Sequence, residues 1–395
     1  MAARGGVRVT VVDSAKRLGA KILISGGGRC NVTNRAVTAA DFWGGSRPTI
    51  ARVLNAWTAD DTVGFFADAG VALHEEARGK LFPDANAARV VLDALLTQAA
   101  AVGVQIETGW RVDQVIDDGE QFAVVGERGR LTSQRLVLTT GGRSVSKTGS
   151  TGAGYGFASD LGHHLVEPIP ALVPLLLHDG LHQHVAGVTV DVEIAVVVDG
   201  RVAVRTSGPL LWTHVGVSGP AALDASRHWH RAELERRHVE IRVSFRPGRQ
   251  FDAIDGELSN AARERPRASV DGILSEWIPA SLAAQLRMHA GAADDVTLAH
   301  LTRDDRRRLA HALSGLPLSI RGSRGFDVAE ATAGGVSLTE VDPATMASRV
   351  CRGLFLAGEI LDVDGRLGGF NFQWAWASGA VAGRAIAAAA LSRRR

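Results

Sequence analysis

Three consecutive glycines, Gly26, Gly27 and Gly28, sit between Ser25 and the run Arg29, Cys30, Asn31. A glycine triplet costs backbone entropy and makes sense where the main chain takes φ > 0 or approaches a ligand closely. The hydroxyl, fixed cation and amide around it suit a phosphate or the polar edge of a flavin ring. Cys30 has no adjacent partner cysteine, which favours small-residue packing over redox chemistry. A second segment carries a stronger pattern. The apolar run 353–357 ends in Gly358 and Glu359, a polar loop follows, and Gly368 and Gly369 open a helix with Phe370 and Asn371. Such an acid can bind ribityl hydroxyls. Open N–H groups at a helix start can stabilise negative charge on the pyrimidine side of a reduced flavin.

Two further segments put ligand-binding residue types at strand ends. The run from Val9 to Val12 ends in Asp13. In a dinucleotide-binding βαβ unit such an acid accepts hydrogen bonds from ribose hydroxyls, although an ordinary strand end has the same pattern. Thr140, Gly141 and Gly142 follow the apolar strand 136–139, at the carboxyl end where parallel sheets bind ligands. The glycine-rich stretch 148–156 does not follow a strand directly and reads as a turn plus a helix start. His214 is the best candidate for a polar substrate contact in the middle of the chain, with a structural histidine as the alternative. His182 and His184 form a weak pair expected to be exposed. No metal-ligand spacing is found.

The elements that must hold these residues alternate in type. Residues 7–12 read as a buried parallel strand, and 52–70 as one amphipathic helix. A second helix covers 87–102 and stops at Gly103. A small antiparallel meander follows over 111–132. Beyond Pro168 and Pro170 strands dominate, with a hairpin turn at Asp199 and Gly200. Residues 254–313 are helical, 354–357 is an apolar strand, and 372–391 is a last, alanine-rich helix. Strand and helix alternation at both ends, around a different middle, predicts an α/β nucleotide-binding domain built from both chain ends. The expected boundaries are 1–167 with 322–395, a β-rich insertion at 168–250, and a helical subdomain at 251–321.

Composition narrows the function classes. The 395 residues carry a formal charge of +2, and acids are interspersed almost everywhere. No basic stripe stands out, so no nucleic-acid partner is expected. The terminal Arg393, Arg394 and Arg395 read as a solvated, frayed end. No apolar stretch reaches about 18 residues, so no membrane span is expected. Two distant cysteines make no disulfide framework, which points to a reducing, cytoplasmic setting.

The four glycine-bearing segments, in this order, resemble the aminoacetone-oxidase-like FAD-dependent oxidoreductases. Residues 212–220 and 331–336 match the same pattern. The resemblance implies a Rossmann-like FAD domain, a β-barrel-like insertion and a helical subdomain. It implies hydride transfer between flavin N5 and a small organic substrate or NAD(P)H. FAD contacts would fall at Asp13, Lys21, the Gly26 to Asn31 loop, Val112, Thr140 to Gly142, Glu359 and Gly368 to Asn371, with Ser25 and Gly358 at the flanks. No second dinucleotide fingerprint is visible, so NAD(P)H as co-substrate would dock transiently or through the insertion. Substrate would enter beside the FAD domain, since sites favour domain interfaces.

Family members begin with a strand, a glycine fingerprint and a full helix, and about 20 such residues have no counterpart here. Met1 is therefore expected to lie inside the native first helix, with Gly-x-Gly-x-x-Gly coding just upstream. Losing a central strand forfeits roughly 9–18 kcal/mol of gross apolar burial, against about 5–15 kcal/mol of net domain stability. Two alternatives are carried beside the main expectation: a non-catalytic remnant that no longer holds FAD, and a flavoprotein acting on RNA. The oligomeric state is not legible.

Overall fold

Short apolar runs ending in polar or glycine residues pair in parallel. Thr10–Asp13 lies beside Gln105–Thr108, and Leu136–Leu138 beside Leu354–Leu356. In the structure, a computed structural model that describes residues 1–178 and 180–391, these pairs form two separate two-stranded sheets. The arginine tail 393–395 lies outside the described residues. The expectation of a buried first strand is corrected: Thr10 and Val11 are exposed, Val11 by 41%. A two-stranded ribbon has too few neighbours to cover both faces of a β-branched run. Leu354–Leu356, by contrast, is wholly buried in a core with Leu138, Trp374, Ala377 and Val381.

The helix expected over 52–70 is two helices, Arg47–Ala56 and Ala59–Asp68. Trp57 between them is extended (φ −151°, ψ 98°), and Thr58 caps the second helix in a reciprocal capping box with Asp61. Both helices feed apolar residues inward, which is why one period seemed to run through the break. The helix Ala88–Ala101, the meander of Val112–Asp117, Phe122–Gly126 and Gly129–Ser133, and the final helix Phe370–Leu391 form where the sequence places them.

The chain divides into two compact units, Met1–Ile169 with Glu330 onward, and Pro170–Ala329. The second unit holds an open seven-stranded sheet built on the long hairpin Thr189–Val198 and Arg201–Thr213. Asp199 and Gly200 turn that hairpin with φ of 49° and 76°, the left-handed pair a tight turn requires. Strand residues such as Ile194 and Trp212 share one core with Leu258, Leu282 and Leu309 of the following helices. The β-rich and helical stretches of the insertion therefore bury a common interior. His214 is exposed, while His182 is buried and not exposed as expected. Among the described residues no helix is long and apolar enough to cross a membrane.

Candidate functional site

Glu359 is the hub of the first unit's polar cluster. It follows Leu354–Leu356 in a short turn begun by Gly358 at φ 79°. Its Oε2 accepts from Lys21 Nζ at 2.6 Å. Its Oε1 accepts from Ser144 Oγ at 2.9 Å and from the Thr332 backbone N–H at 2.7 Å. Lys21 Nζ also donates to Ser144 Oγ at 2.6 Å. Thr332 Oγ1 accepts from the N–H groups of Arg143 and Ser144. One carboxylate thus ties together the helix Ala20–Gly28, the turn after Leu136–Leu138, the strand Ala331–Val336 and the turn before the final helix. The Lys21 and Glu359 side chains are partly solvent-exposed, so this is an accessible cluster and not a sealed ion pair.

Glycines let these segments meet. A side chain at Gly142 would collide with Thr332 Oγ1, and one at Gly154 with Thr140. Gly141 (φ 72°) comes close to Ser150 and Glu359. At the mouth of the final helix Gly369 (φ 92°) lies against the Thr33 carbonyl, where no Cβ fits. Gly368 O accepts from Asn34 Nδ2 at 3.0 Å. With its amide assigned by its hydrogen-bonding neighbours, Asn31 donates from its nitrogen to Thr33 O (2.9 Å) and accepts at its oxygen from Gly369 N–H (3.1 Å). The glycine segment 26–31 and the helix mouth are therefore pinned to each other through Asn31. The first N–H groups of the final helix lack intrahelical acceptors and give that mouth a positive end.

The other expected site residues take varied places. Ser25 breaks the helix Ala20–Gly28 (ψ 147°), and Gly26, Gly27 and Gly28 are all left-handed. Nothing crowds Gly27. The Ser25 hydroxyl donates back to Ile22 O at 2.7 Å. Arg29 pairs with Glu76 at 2.6 Å and lies over the Phe82 ring, away from Glu359's partners. Cys30 is fully buried, and burial pushes its thiol up to about 11. Asp13 accepts from the Ala15 N–H at 2.7 Å. Val112 starts the meander and packs on the first unit's core. Phe370 is buried against Phe42 and offers only its backbone to the mouth. Asn371 holds both the N–H and the C=O of Gly365 at 2.9 Å.

Sequence reasoning missed Ser144, and it named Thr332 only inside a pattern. Buried Gln373, within the segment that opens the final helix, was given no role. This side chain accepts from Thr33 and Thr62 hydroxyls and donates to Trp57 O, bracing the final helix below its mouth. The glycines and the cluster fit a flavin nucleotide: left-handed backbone, open at Gly27, follows the helix turn that carries Lys21, and left-handed Gly141 lies near Glu359.

The HI0933-like protein Rossmann domain matches residues 1–385. A 3-dehydro-bile acid delta(4,6)-reductase of Clostridium scindens is 32% identical over 383 residues, covering 97% of this chain and 93% of that protein. A ribosomal RNA dihydrouridine synthase of Escherichia coli is 32% identical over 378 residues, covering 96% and 92%. The Haemophilus influenzae protein of that name is 31% identical over 382 residues, covering 95% and 92%. Among solved structures, an open flavocytochrome c3 fumarate reductase superposes with a TM-score of 0.47 at 16% identity, over 99% of this chain and 75% of that one.

Proposed function

This chain belongs to the HI0933-like family of Rossmann-fold oxidoreductases, and from that premise we propose that it is an FAD-dependent reductase of a C=C bond conjugated to a carbonyl. The observation that carries the reading is the convergence of Lys21, Ser144 and Thr332 on the Glu359 carboxylate, in the same unit as the glycine-opened mouth of the final helix. Bound FAD would supply hydride transfer at N5, and the chain would supply binding and electrostatics. Glu359, held by three donors, is poised to receive ribityl hydroxyls. The helix mouth would stabilise charge on the flavin's pyrimidine edge.

Relatives support the substrate chemistry. A dehydro bile acid reduced at Δ4,6 and a uracil reduced to dihydrouridine share one reacting unit, a C=C conjugated to C=O. A small enone is the first reading. A uracil ring within RNA is the second, favoured by the two relatives with that name. Near-neutral net charge weakens the case for a broad RNA surface but does not bear on a single base entering a cleft. Amine oxidation, which the aminoacetone-oxidase-like pattern implies, would use the same flavin site with hydride moving the other way. The reductant is proposed to be NAD(P)H, docking transiently.

The test is anaerobic. FAD-loaded protein is reduced with NADH or NADPH, then mixed with a 3-oxo-4,6-diene bile acid or with a uridine-containing rRNA transcript. Reoxidation by one of them, with the saturated product formed, is expected. Reoxidation by an amine-derived imine or by oxygen alone, with both conjugated probes inert, would overturn the reading.

A further inference from the structure

Hydrogen bonds fix the strand Lys80–Pro83 against the mouth of the final helix. Asn34, the register partner of Lys80, donates from Nδ2 to Gly368 O at 3.0 Å and to Arg78 O at 3.0 Å. The Arg35 N–H donates to Gly79 O at 2.7 Å, one residue before Lys80. The Lys80 side chain reaches the mouth so defined: its Cε lies 3.7 Å from where a Cβ at Gly368 would stand.

Lys80 has no counter-charge in that position. Lys21, Arg29 and Arg366, which also flank the glycine-bearing segments, are each paired, to Glu359 at 2.6 Å, Glu76 at 2.6 Å and Asp41 at 2.8 Å. Glu76 stands opposite Lys80 in the strand register, but its carboxylate is taken by Arg29. Among the described residues Lys80 Nζ makes no hydrogen bond or ion pair, and the side chain is half-buried. An ammonium beside the positive end of a helix is a repulsive arrangement. Two positive groups held together without a partner call for an anion between them.

We propose that Lys80 pairs with the negative charge that reduction places on the flavin's pyrimidine edge, and so sets the reduction potential of the bound cofactor. The proposal rests on the FAD reading above. A hydride, with its electron pair, passes from a nicotinamide donor to flavin N5. The donor leaves as the oxidised nicotinamide cation, and one negative charge stays on the N1–C2=O edge. Oxidised flavin carries no such charge, so Lys80 favours the reduced form over the oxidised one. A lysine on the FAD pyrophosphate would favour both forms equally.

The reduction potential of FAD-loaded K80M, measured by equilibration with a reference dye, tests this. Loss of the ammonium should weaken binding of reduced relative to oxidised flavin about tenfold, a drop of about 30 mV for a two-electron couple. Lys80→Arg should restore most of it. A second readout needs no turnover and uses the wild-type protein. Acylation with an N-hydroxysuccinimide ester, read by mass spectrometry, should mark Lys80 in the free protein and spare it once FAD is bound, whereas ADP alone should leave it open. An unchanged potential in K80M, or equal acylation of Lys80 with and without FAD, would overturn the proposal. Weaker binding of both redox forms at an unchanged potential would overturn it too, as the signature of a pyrophosphate contact. Should K80M fail to load FAD, the wild-type acylation pattern decides. If wild-type protein retains no FAD on gel filtration, the FAD reading itself fails and the role of Lys80 falls with it.

Discussion

Glu359 receives three hydrogen bonds from three different parts of the chain, and its charge is what holds them together. Glu359→Gln keeps the shape but turns one acceptor oxygen into a donor facing Lys21 or the Ser144–Thr332 side. A buried or half-buried donor without an acceptor costs about 1–3 kcal/mol. FAD affinity is accordingly expected to fall roughly tenfold to a hundredfold in E359Q, read by flavin fluorescence titration. Cys30 gives a second check. With its thiol held up at about 11 by burial, it is protonated at pH 8 and inert, so iodoacetamide should leave it unlabelled in folded protein, as seen by mass spectrometry. An unfolded thiol titrates near its ordinary value of 9.0. The folded state therefore binds the proton more tightly, and stability falls as pH rises through that window.

The glycine-bearing elements make predictions of their own, because their glycines differ in what surrounds them. At Gly369 the φ of 92° and the Thr33 carbonyl both oppose a side chain. At Gly27 only the φ of 69° does, since the space around it is open. Gly27→Ala is expected to cost about 1–2 kcal/mol. Gly369→Ala adds a backbone clash and should cost about 2–4 kcal/mol, with the helix mouth displaced. Urea unfolding of the two variants compares them directly. The positions of these glycines were legible in the sequence because the signal is local: consecutive glycines next to Arg, Asn or an acid. What joins them was not legible. Ser144 lies 215 positions from Glu359, and nothing in its neighbourhood marks it as a ligand of that carboxylate. The break at Trp57 was readable in the Thr58–Asp61 box, but continuous apolar periodicity masked it.

The two units of the molecule should respond differently to acid. His228 and His230, on the helix Pro220–Leu234 of the second unit, are held down by burial to about 3 and about 4 from 6.5. Folding keeps both neutral, whereas the unfolded chain takes up protons below 6.5, so ν is larger in the unfolded state and stability falls as pH drops from 6.5 toward 4. Thermal melts across that range should show the second unit's transition moving down, and His230→Asn should flatten the slope. The first unit carries the claim on which the functional account turns, that its glycine-bearing segments hold an isoalloxazine nucleotide. The direct measurement is the visible absorption spectrum of the purified protein before and after incubation with FAD and gel filtration. A retained yellow flavin band, lost or weakened in E359Q, is the expected result. A colourless wild-type protein that retains none of the added FAD would contradict the account.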